Sequence, residues 1–194
     1  MKFLGVYDYT VILTYLSLFS AFWGMTLAHR GSFTGAILCL LLSGICDAFD
    51  GTVARSKRDR TDDEKAFGIQ LDSLCDVISF GVFPAYLCYC LGVQSTTGIV
   101  ILGLYCICAV IRLAFFNVQE GKRQKTEGGA NKIYRGLPVT TISMILPPVY
   151  LLRFLLPRKA FTILMYIVPA IVGFLFILDI PIKKPDVKKL FVRS

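Results

Sequence analysis

The chain has 194 residues, of which 55% are hydrophobic and 18% are charged, and its mean hydropathy is +0.65. Soluble domains usually carry roughly 25% charged residues, so this composition leaves little room for a soluble domain and indicates an integral membrane protein. The formal net charge of +8 lies mainly in short polar segments between apolar ones. Basic segments in such a chain do not argue for nucleic acid as a partner.

Six apolar stretches follow one another, each about as long as the 20 residues that a helix needs to cross a bilayer. They predict spans near residues 9–28, 33–54, 70–92, 97–118, 137–156 and 160–180. The first stretch is long for a signal peptide and is interpreted as a retained helix. Polar loops are expected at 56–67 and 117–136. We therefore expect an all-α transmembrane protein with six helices that forms one domain over residues 1–194.

The basic residues predict which way the helices cross the membrane. Most of the 21 lysines and arginines lie in the N-terminal tail and in segments 56–69, 119–136 and 181–194, which all belong to the same side in a six-span topology. The opposite connections hold Arg30, Arg153, Arg158 and Lys159. By the positive-inside rule both termini are expected in the cytoplasm. We accordingly expect a multi-pass protein of the plasma membrane.

Four aspartates stand near the cytoplasmic ends of the second and third predicted spans. Asp47 and Asp50 lie in GICDAFDGTVAR (44–55), and Asp72 and Asp76 lie in FGIQLDSLCD (67–76). A carboxylate at the centre of a membrane helix costs about 2.5–3.5 kcal/mol on insertion scales, and several close together repel one another unless a cation lies between them. Their helical spacing puts each pair on one face of its span. The pattern therefore predicts a metal site at a membrane surface.

Small residues and an arginine accompany the carboxylates on the same helix faces. Gly51 and Ala54 leave space beside Asp50, Gly68 lies one turn before Asp72, and Arg55 is placed to reach a phosphate. Oxygen ligands alone favour Mg²⁺, Mn²⁺ or Ca²⁺ over zinc. Together these residues indicate a site for a diphosphate bridged by metal ions.

This arrangement resembles the signature of the CDP-alcohol phosphotransferase family, D-x2-D-G-x2-A-R followed by G-x3-D-x3-D. The sequence fills every position of it, with a spacer of residues 56–67 that is longer than is usual in that family. The resemblance implies an integral membrane enzyme of six helices, expected to be a homodimer. It implies that Asp47, Asp50, Asp72 and Asp76 bind two divalent cations, Mg²⁺ or Mn²⁺.

The resemblance also implies separate roles for the other signature residues. Asp76 would act as the general base toward an acceptor hydroxyl, while Gly51, Ala54 and Arg55 would line the CDP moiety. The hydroxyl would attack the phosphorus that bears the lipid, and CMP would leave.

Three further segments, the first of which overlaps the end of the signature, are similar to the phosphatidylserine synthase branch of that family. They are LDSLCDVISFGVFPA (71–85), RLAFFN (112–117) and RGLPVTTIS (135–143). This similarity implies CDP-diacylglycerol and L-serine as substrates, with Arg112, Asn117 and Arg135 as candidate acceptor-binding residues. Glycerol 3-phosphate, inositol phosphate and choline stay open as acceptors, as does transfer from CDP-choline or CDP-ethanolamine to diacylglycerol. Outside enzymes, intramembrane carboxylates are also typical of cation transporters.

Overall fold

The computed structural model of the chain describes residues 5, 9–57, 61–125, 133–179 and 181–183, with the backbone alone at 55–56, 122–125, 133–135 and 181–183. Within these residues the chain forms seven α-helices. Their bounds are α1 Ile12–His29, α2 Phe33–Ser56, α3 Asp62–Asp76, α4 Phe83–Cys90, α5 Thr96–Lys125, α6 Ile142–Leu151 and α7 Arg158–Ile177. A π-helical segment, Val77–Val82, joins α3 to α4, so that residues 62–90 form one continuous helical rod.

Five of these helical rods are long and apolar enough to cross a membrane. They correspond to five of the six predicted spans and confirm a multi-span helical protein. The sixth stretch, Val139–Phe154, is shorter, because α6 is flanked by 3-10 turns at Val139–Thr141 and Leu152–Phe154 and contains Pro147 and Pro148. Proline removes a backbone donor and clashes with the preceding turn, which accounts for this broken geometry.

Two of the predicted loops are partly helical, and those boundaries were wrong. Helix α3 begins at Asp62 because Thr61 forms a capping box with Glu64, whose backbone N–H donates to Thr61 Oγ1 at 3.2 Å. At its other end, α5 continues to Lys125, through the first half of the loop expected at 117–136. The polar connections around 56–67 and 117–136 are therefore shorter than the sequence suggested.

The alternating direction of the long helices gives the molecule two ends. One end, called here the aspartate face, holds the start of α1, the end of α2, the start of α3, and the ends of α5 and α7. The other end, called the arginine face, holds the turns at 30–32, 91–95 and 152–157. The side of the membrane on which each face lies stays a prediction, and residues 1–4 and 184–194 lie outside the described residues.

Close helix contacts at glycines hold the bundle together. A Cβ at Gly24 of α1 would lie 2.9 Å from Cys39 Cβ of α2 and would also overlap the Phe83 ring. A Cβ at Gly44 of α2 would lie 2.7 Å from Ser143 Cβ of α6. Small residues at such crossings let helix backbones approach closely, which is how membrane helices gain packing energy.

The π-helical segment is stabilised by side chains of α5. Pro84 has no N–H, so the α-helical partner of the Phe80 carbonyl is missing, and the buried Tyr105 hydroxyl donates to this oxygen at 2.5 Å. The Cys106 thiol lies 3.7 Å from the next carbonyl, that of Gly81. The π-helical segment and α5 are therefore joined by polar contacts just beyond Asp76.

Two short strands interrupt the otherwise helical chain at the aspartate face. Strand β1, Ile133–Arg135, pairs antiparallel with β2, Pro181–Lys183, so that Arg135 lies opposite Pro181. The next residue, Gly136, has a φ of 78° and packs against the end of α7, where a Cβ would meet the Phe176 carbonyl at 3.0 Å. Only glycine fits this left-handed position without strain.

Candidate metal and substrate site

A cleft opens at the aspartate face between three helices. Its walls come from the start of α1, the end of α2 and the start of α3, and its cavity volume is about 140 Å³. The lining residues are Thr10, Val11, Thr14, Asp50, Gly51, Ala54, Lys65, Gly68, Ile69 and Asp72. Signature residues from two separate segments thus surround one space, and α1 supplies a third wall that the sequence analysis did not predict.

Three of the four aspartates converge beside this cleft, and two of them, Asp50 and Asp72, line it. One carboxylate oxygen from each of Asp47, Asp50 and Asp72 lies within 4.8 Å of the others. The Oδ1 atom of Asp72 is buried and has no hydrogen-bond partner among the residues that the structure describes. Buried polar atoms are rarely left unsatisfied, and three convergent carboxylates repel one another. The donor set therefore fits a divalent cation such as Mg²⁺, Mn²⁺ or Ca²⁺.

Asp76 lies beside this group rather than within it. Its side chain is 7% exposed, and its carboxyl group lies within hydrogen-bonding reach of that of Asp47. It is the last residue of α3, immediately before the π-helical segment. Such segments are rare and often mark functional sites. The structure thus separates a carboxylate at the inner end of the site from the three that converge at the cleft.

Hydroxyl groups extend from Asp50 toward the interior of the helix bundle. Thr14 Oγ1 donates to Asp50 Oδ2 at 3.4 Å. One turn deeper, Ser17 and Ser43 exchange hydrogen bonds from hydroxyl to carbonyl at 3.3 and 3.0 Å, and Ser79 Oγ lies 3.5 Å from Ser17 Oγ. Sequence reasoning missed these residues. The signal was present, because Thr10, Thr14 and Ser17 follow a helical spacing on an otherwise apolar helix.

The small signature residues lie where the sequence analysis expected open space. Gly51, Ala54 and Gly68 all line the cleft, on the two helices that carry Asp50 and Asp72. The backbone of Arg55 continues α2 by one residue beyond Ala54, but its side chain lies outside the described part of the structure. Nearby, Lys57 pairs with Glu64 at 3.3 Å, which ties the end of α2 to the start of α3.

Arg112 does not line the aspartate cleft. It is buried at 6% exposure in α5, where Nε donates to the Leu137 carbonyl at 3.2 Å and Nη2 lies 3.5 Å from the Gly136 carbonyl. It lines a second cavity of about 250 Å³ at the same face, which also contains Asp179. This position gives Arg112 a structural role that its sequence context did not reveal.

The other two predicted acceptor residues are also outside the cleft lining. Asn117 accepts a hydrogen bond from Ser73 Oγ at 2.7 Å and donates to Gln70 Oε1 at 3.2 Å. These contacts fix the second half of α3 against α5, with Ser73 next to Asp72. Arg135 lies in β1, and its side chain is not among those described.

The sequence matches a known protein family and several curated proteins. The family model described as CDP-alcohol phosphatidyltransferase matches residues 9–178. The chain is similar to a CDP-diacylglycerol–serine O-phosphatidyltransferase of Saccharomyces cerevisiae, with 36% identity over 79% of this chain and 56% of that protein. It is also similar to an archaetidylserine synthase of Methanothermobacter thermautotrophicus, with 37% identity over 74% of this chain and 58% of that protein.

A CDP-diacylglycerol–serine O-phosphatidyltransferase of Helicobacter pylori is 35% identical over 58% of the chain and 47% of its own length. The chain thus spans about half the length of the curated relatives it matches. No solved structure matches it significantly.

Proposed function

The chain belongs to the CDP-alcohol phosphatidyltransferase family, and from this premise we propose that it transfers a phosphatidyl group from CDP-diacylglycerol to the hydroxyl of L-serine. The products would be phosphatidylserine and CMP. The observation that carries the proposal is the convergence of Asp47, Asp50 and Asp72 within 4.8 Å, beside a cleft lined by Gly51 and Ala54. The names of the relatives support serine as the acceptor.

The carboxylates would hold divalent cations, for which we propose two ions of Mg²⁺ or Mn²⁺. When bound, they would neutralise the diphosphate and stabilise charge at the transferred phosphorus. Asp47, Asp50 and Asp72 supply the converging oxygens, and Asp76 would complete the site from its inner end. The open backbone at Gly51, Ala54 and Gly68 would accommodate the CDP moiety, and Arg55 would reach a phosphate.

The transfer moves one proton and exchanges one bond at phosphorus. The serine oxygen forms a bond to the phosphorus that carries the diacylglycerol, and the bond from that phosphorus to the CMP oxygen breaks. Asp76 would accept the hydroxyl proton, and CMP would leave as the anion. Because little covalent chemistry falls to the protein, the positions of these side chains would provide most of the rate enhancement.

For the acceptor we propose that Arg112, Asn117 and Arg135 decide which alcohol reacts. The cavity beside Arg112 supports this for a zwitterion, because its lining offers a guanidinium together with the Asp179 carboxylate. A charge-assisted contact from arginine suits the serine carboxylate. Substitution Arg112→Lys should therefore raise the KM for serine about tenfold, while the KM for CDP-diacylglycerol stays unchanged.

The expected location follows from charge and span order. We propose that the aspartate face lies in the cytoplasm at the plasma membrane and that the protein forms a homodimer. The basic segments near the aspartate face support the orientation. An accessibility assay with single cysteines at Thr52 and Gln94, in a background without the native cysteines, would test it; labelling of Gln94→Cys from the cytoplasmic side would contradict the assignment.

An acceptor panel tests the activity itself. Purified protein with Mg²⁺ or Mn²⁺ and CDP-diacylglycerol would be given serine, glycerol 3-phosphate, inositol, inositol phosphate or choline, and CMP release would be measured. CMP release with serine alone would support the proposal, and release with another acceptor would reassign the substrate. Metal-dependent CMP release also separates an enzyme from the cation-transporter alternative, since absence of release with every acceptor would refute the enzyme.

A further inference from the structure

The arginine face carries positive charge without carboxylates to balance it. The sequence has no Asp or Glu at positions 9–46, 77–119 or 128–178, which include every residue of its three turns. Arg30, Arg153, Arg158 and Lys159 all lie at this end. Within the part of the chain that the structure describes, no carboxylate lies at this end, so these cations can interact with an anion from another molecule.

A cavity of about 460 Å³ at the arginine face brings two of these cations together. It lies between the start of α2, the turn from α4 to α5 and the start of α7. Arg153, Arg158 and Gln94 provide its polar lining, while Phe33, Leu91 and Phe161 provide apolar lining. A cavity with both kinds of surface at the end of a helix bundle suits an amphiphile better than a free ion.

The structure holds Arg153 in position. Its guanidinium lies 4.9 Å from the centre of the Tyr150 ring and 5.0 Å from that of Phe154, and it donates a hydrogen bond to the Tyr150 hydroxyl. The Tyr150 hydroxyl is in turn 3.1 Å from Thr34 Oγ1 of α2. Because these contacts restrict the rotamers of Arg153, its side chain loses little conformational entropy when it binds an anion.

The start of α7 adds backbone donors beside Arg158. The helix begins after Pro157 without a side-chain cap, and its first intrahelical bond runs from Phe161 N to the Pro157 carbonyl at 3.0 Å. The N–H groups of residues 158–160 therefore have no acceptor within the helix. The helix dipole makes this end favourable for an anion.

We propose that this cavity binds the headgroup phosphate of an anionic phospholipid from the leaflet at the arginine face. Arg153, Arg158 and the first turn of α7 contact the phosphate, and Phe33, Leu91 and Phe161 contact the glycerol and the upper acyl chains. This site is separate from the aspartate cleft, because the two lie at opposite ends of the helices. The lipid at this site is bound by the protein but is not a substrate of the transfer reaction.

Native mass spectrometry of the full chain tests this proposal with phosphatidylglycerol and phosphatidylcholine as probes. The wild type should retain phosphatidylglycerol in preference to phosphatidylcholine. The double variant Arg153→Gln/Arg158→Gln should lose about tenfold in affinity for phosphatidylglycerol. The matched control Arg30→Gln/Lys159→Gln removes two side-chain charges from the same face, neither of which lines the cavity. It leaves the backbone N–H groups of α7 in place and should keep the wild-type affinity for phosphatidylglycerol.

Equal losses in the two double variants would show a diffuse charge effect and overturn the proposal, as would an unchanged affinity in both. Displacement of the lipid by soluble glycerol phosphate would overturn the assignment to a membrane lipid. Crosslinking with a photoactivatable phosphatidylglycerol tests the site in the wild-type protein, without any substitution. The lipid should crosslink to residues 90–94 and 153–162, and crosslinks confined to the aspartate face would refute the site.

Discussion

Removing the Tyr105 hydroxyl should destabilise the protein measurably. In the variant Tyr105→Phe the Phe80 carbonyl loses a donor at 2.5 Å, and Pro84 cannot replace it. Tyr105 is only 2% exposed, so water does not reach the oxygen easily. Interhelical hydrogen bonds in membranes contribute about 0.6 kcal/mol on average and up to about 1.7, whereas an unsatisfied buried acceptor costs about 1–3 kcal/mol.

We expect a loss near the overlap of these ranges, about 1.5 kcal/mol, or roughly tenfold in the unfolding equilibrium constant. The measurement is reversible unfolding in mixed micelles, followed by helical circular dichroism as the denaturing detergent increases. The control is Tyr86→Phe, whose hydroxyl lies 3.1 Å from His29 Nδ1 at an exposed site. Water can replace that bond, so the control should lose less than about 0.5 kcal/mol. Equal losses in the two variants would refute the reasoning.

Three further predictions concern the aspartates and one helix crossing. Asp50→Asn should raise the Mn²⁺ concentration that gives half-maximal activity about tenfold, because one converging oxygen loses its charge. The exposed Asp63→Asn should leave that titration unchanged, and an equal shift in both would contradict the ligand role. Asp76→Asn should abolish CMP release while equilibrium dialysis still detects bound CDP-diacylglycerol; retained turnover would remove Asp76 as the base. Gly44→Ala should cost about 1–3 kcal/mol through overlap with Ser143, and Ser143→Gly in the same chain should remove most of that cost, so absence of rescue would mean that α2 and α6 do not meet there.

The sequence predicted the membrane class and the five long helices because their signals are local. Hydrophobic length determines a span, and the spacing of Asp47 and Asp50 determines a shared helix face. The convergence of Asp47, Asp50 and Asp72 was foreseen because the connection between α2 and α3 is short. Such properties depend on residues within a few turns of one another.

The features that were missed depend on contacts between distant segments. The π-helical segment after Asp76 depends on Pro84, which lacks an N–H, and on a hydrogen-bond donor from α5. Arg112 donates to a carbonyl of the loop that follows β1. The participation of Thr14 required knowing that α1 closes the third wall of the cleft. Composition and periodicity carry no information on which helices are neighbours, so these features needed the structure.

The pairing of β1 with β2 has a consequence for the kinds of change that this region tolerates. Because the ribbon uses backbone atoms, most side chains at 133–135 and 181–183 can vary without altering it. The carbonyls of Gly136 and Leu137 that hold Arg112 follow directly, and Leu137 N is itself bonded to the Leu175 carbonyl at 3.2 Å. An inserted residue between 136 and 138 would change the spacing between the ribbon and the Leu137–Leu175 contact, and it would displace the carbonyls that accept from the buried guanidinium. Length, more than side-chain identity, is therefore the constrained property of this loop.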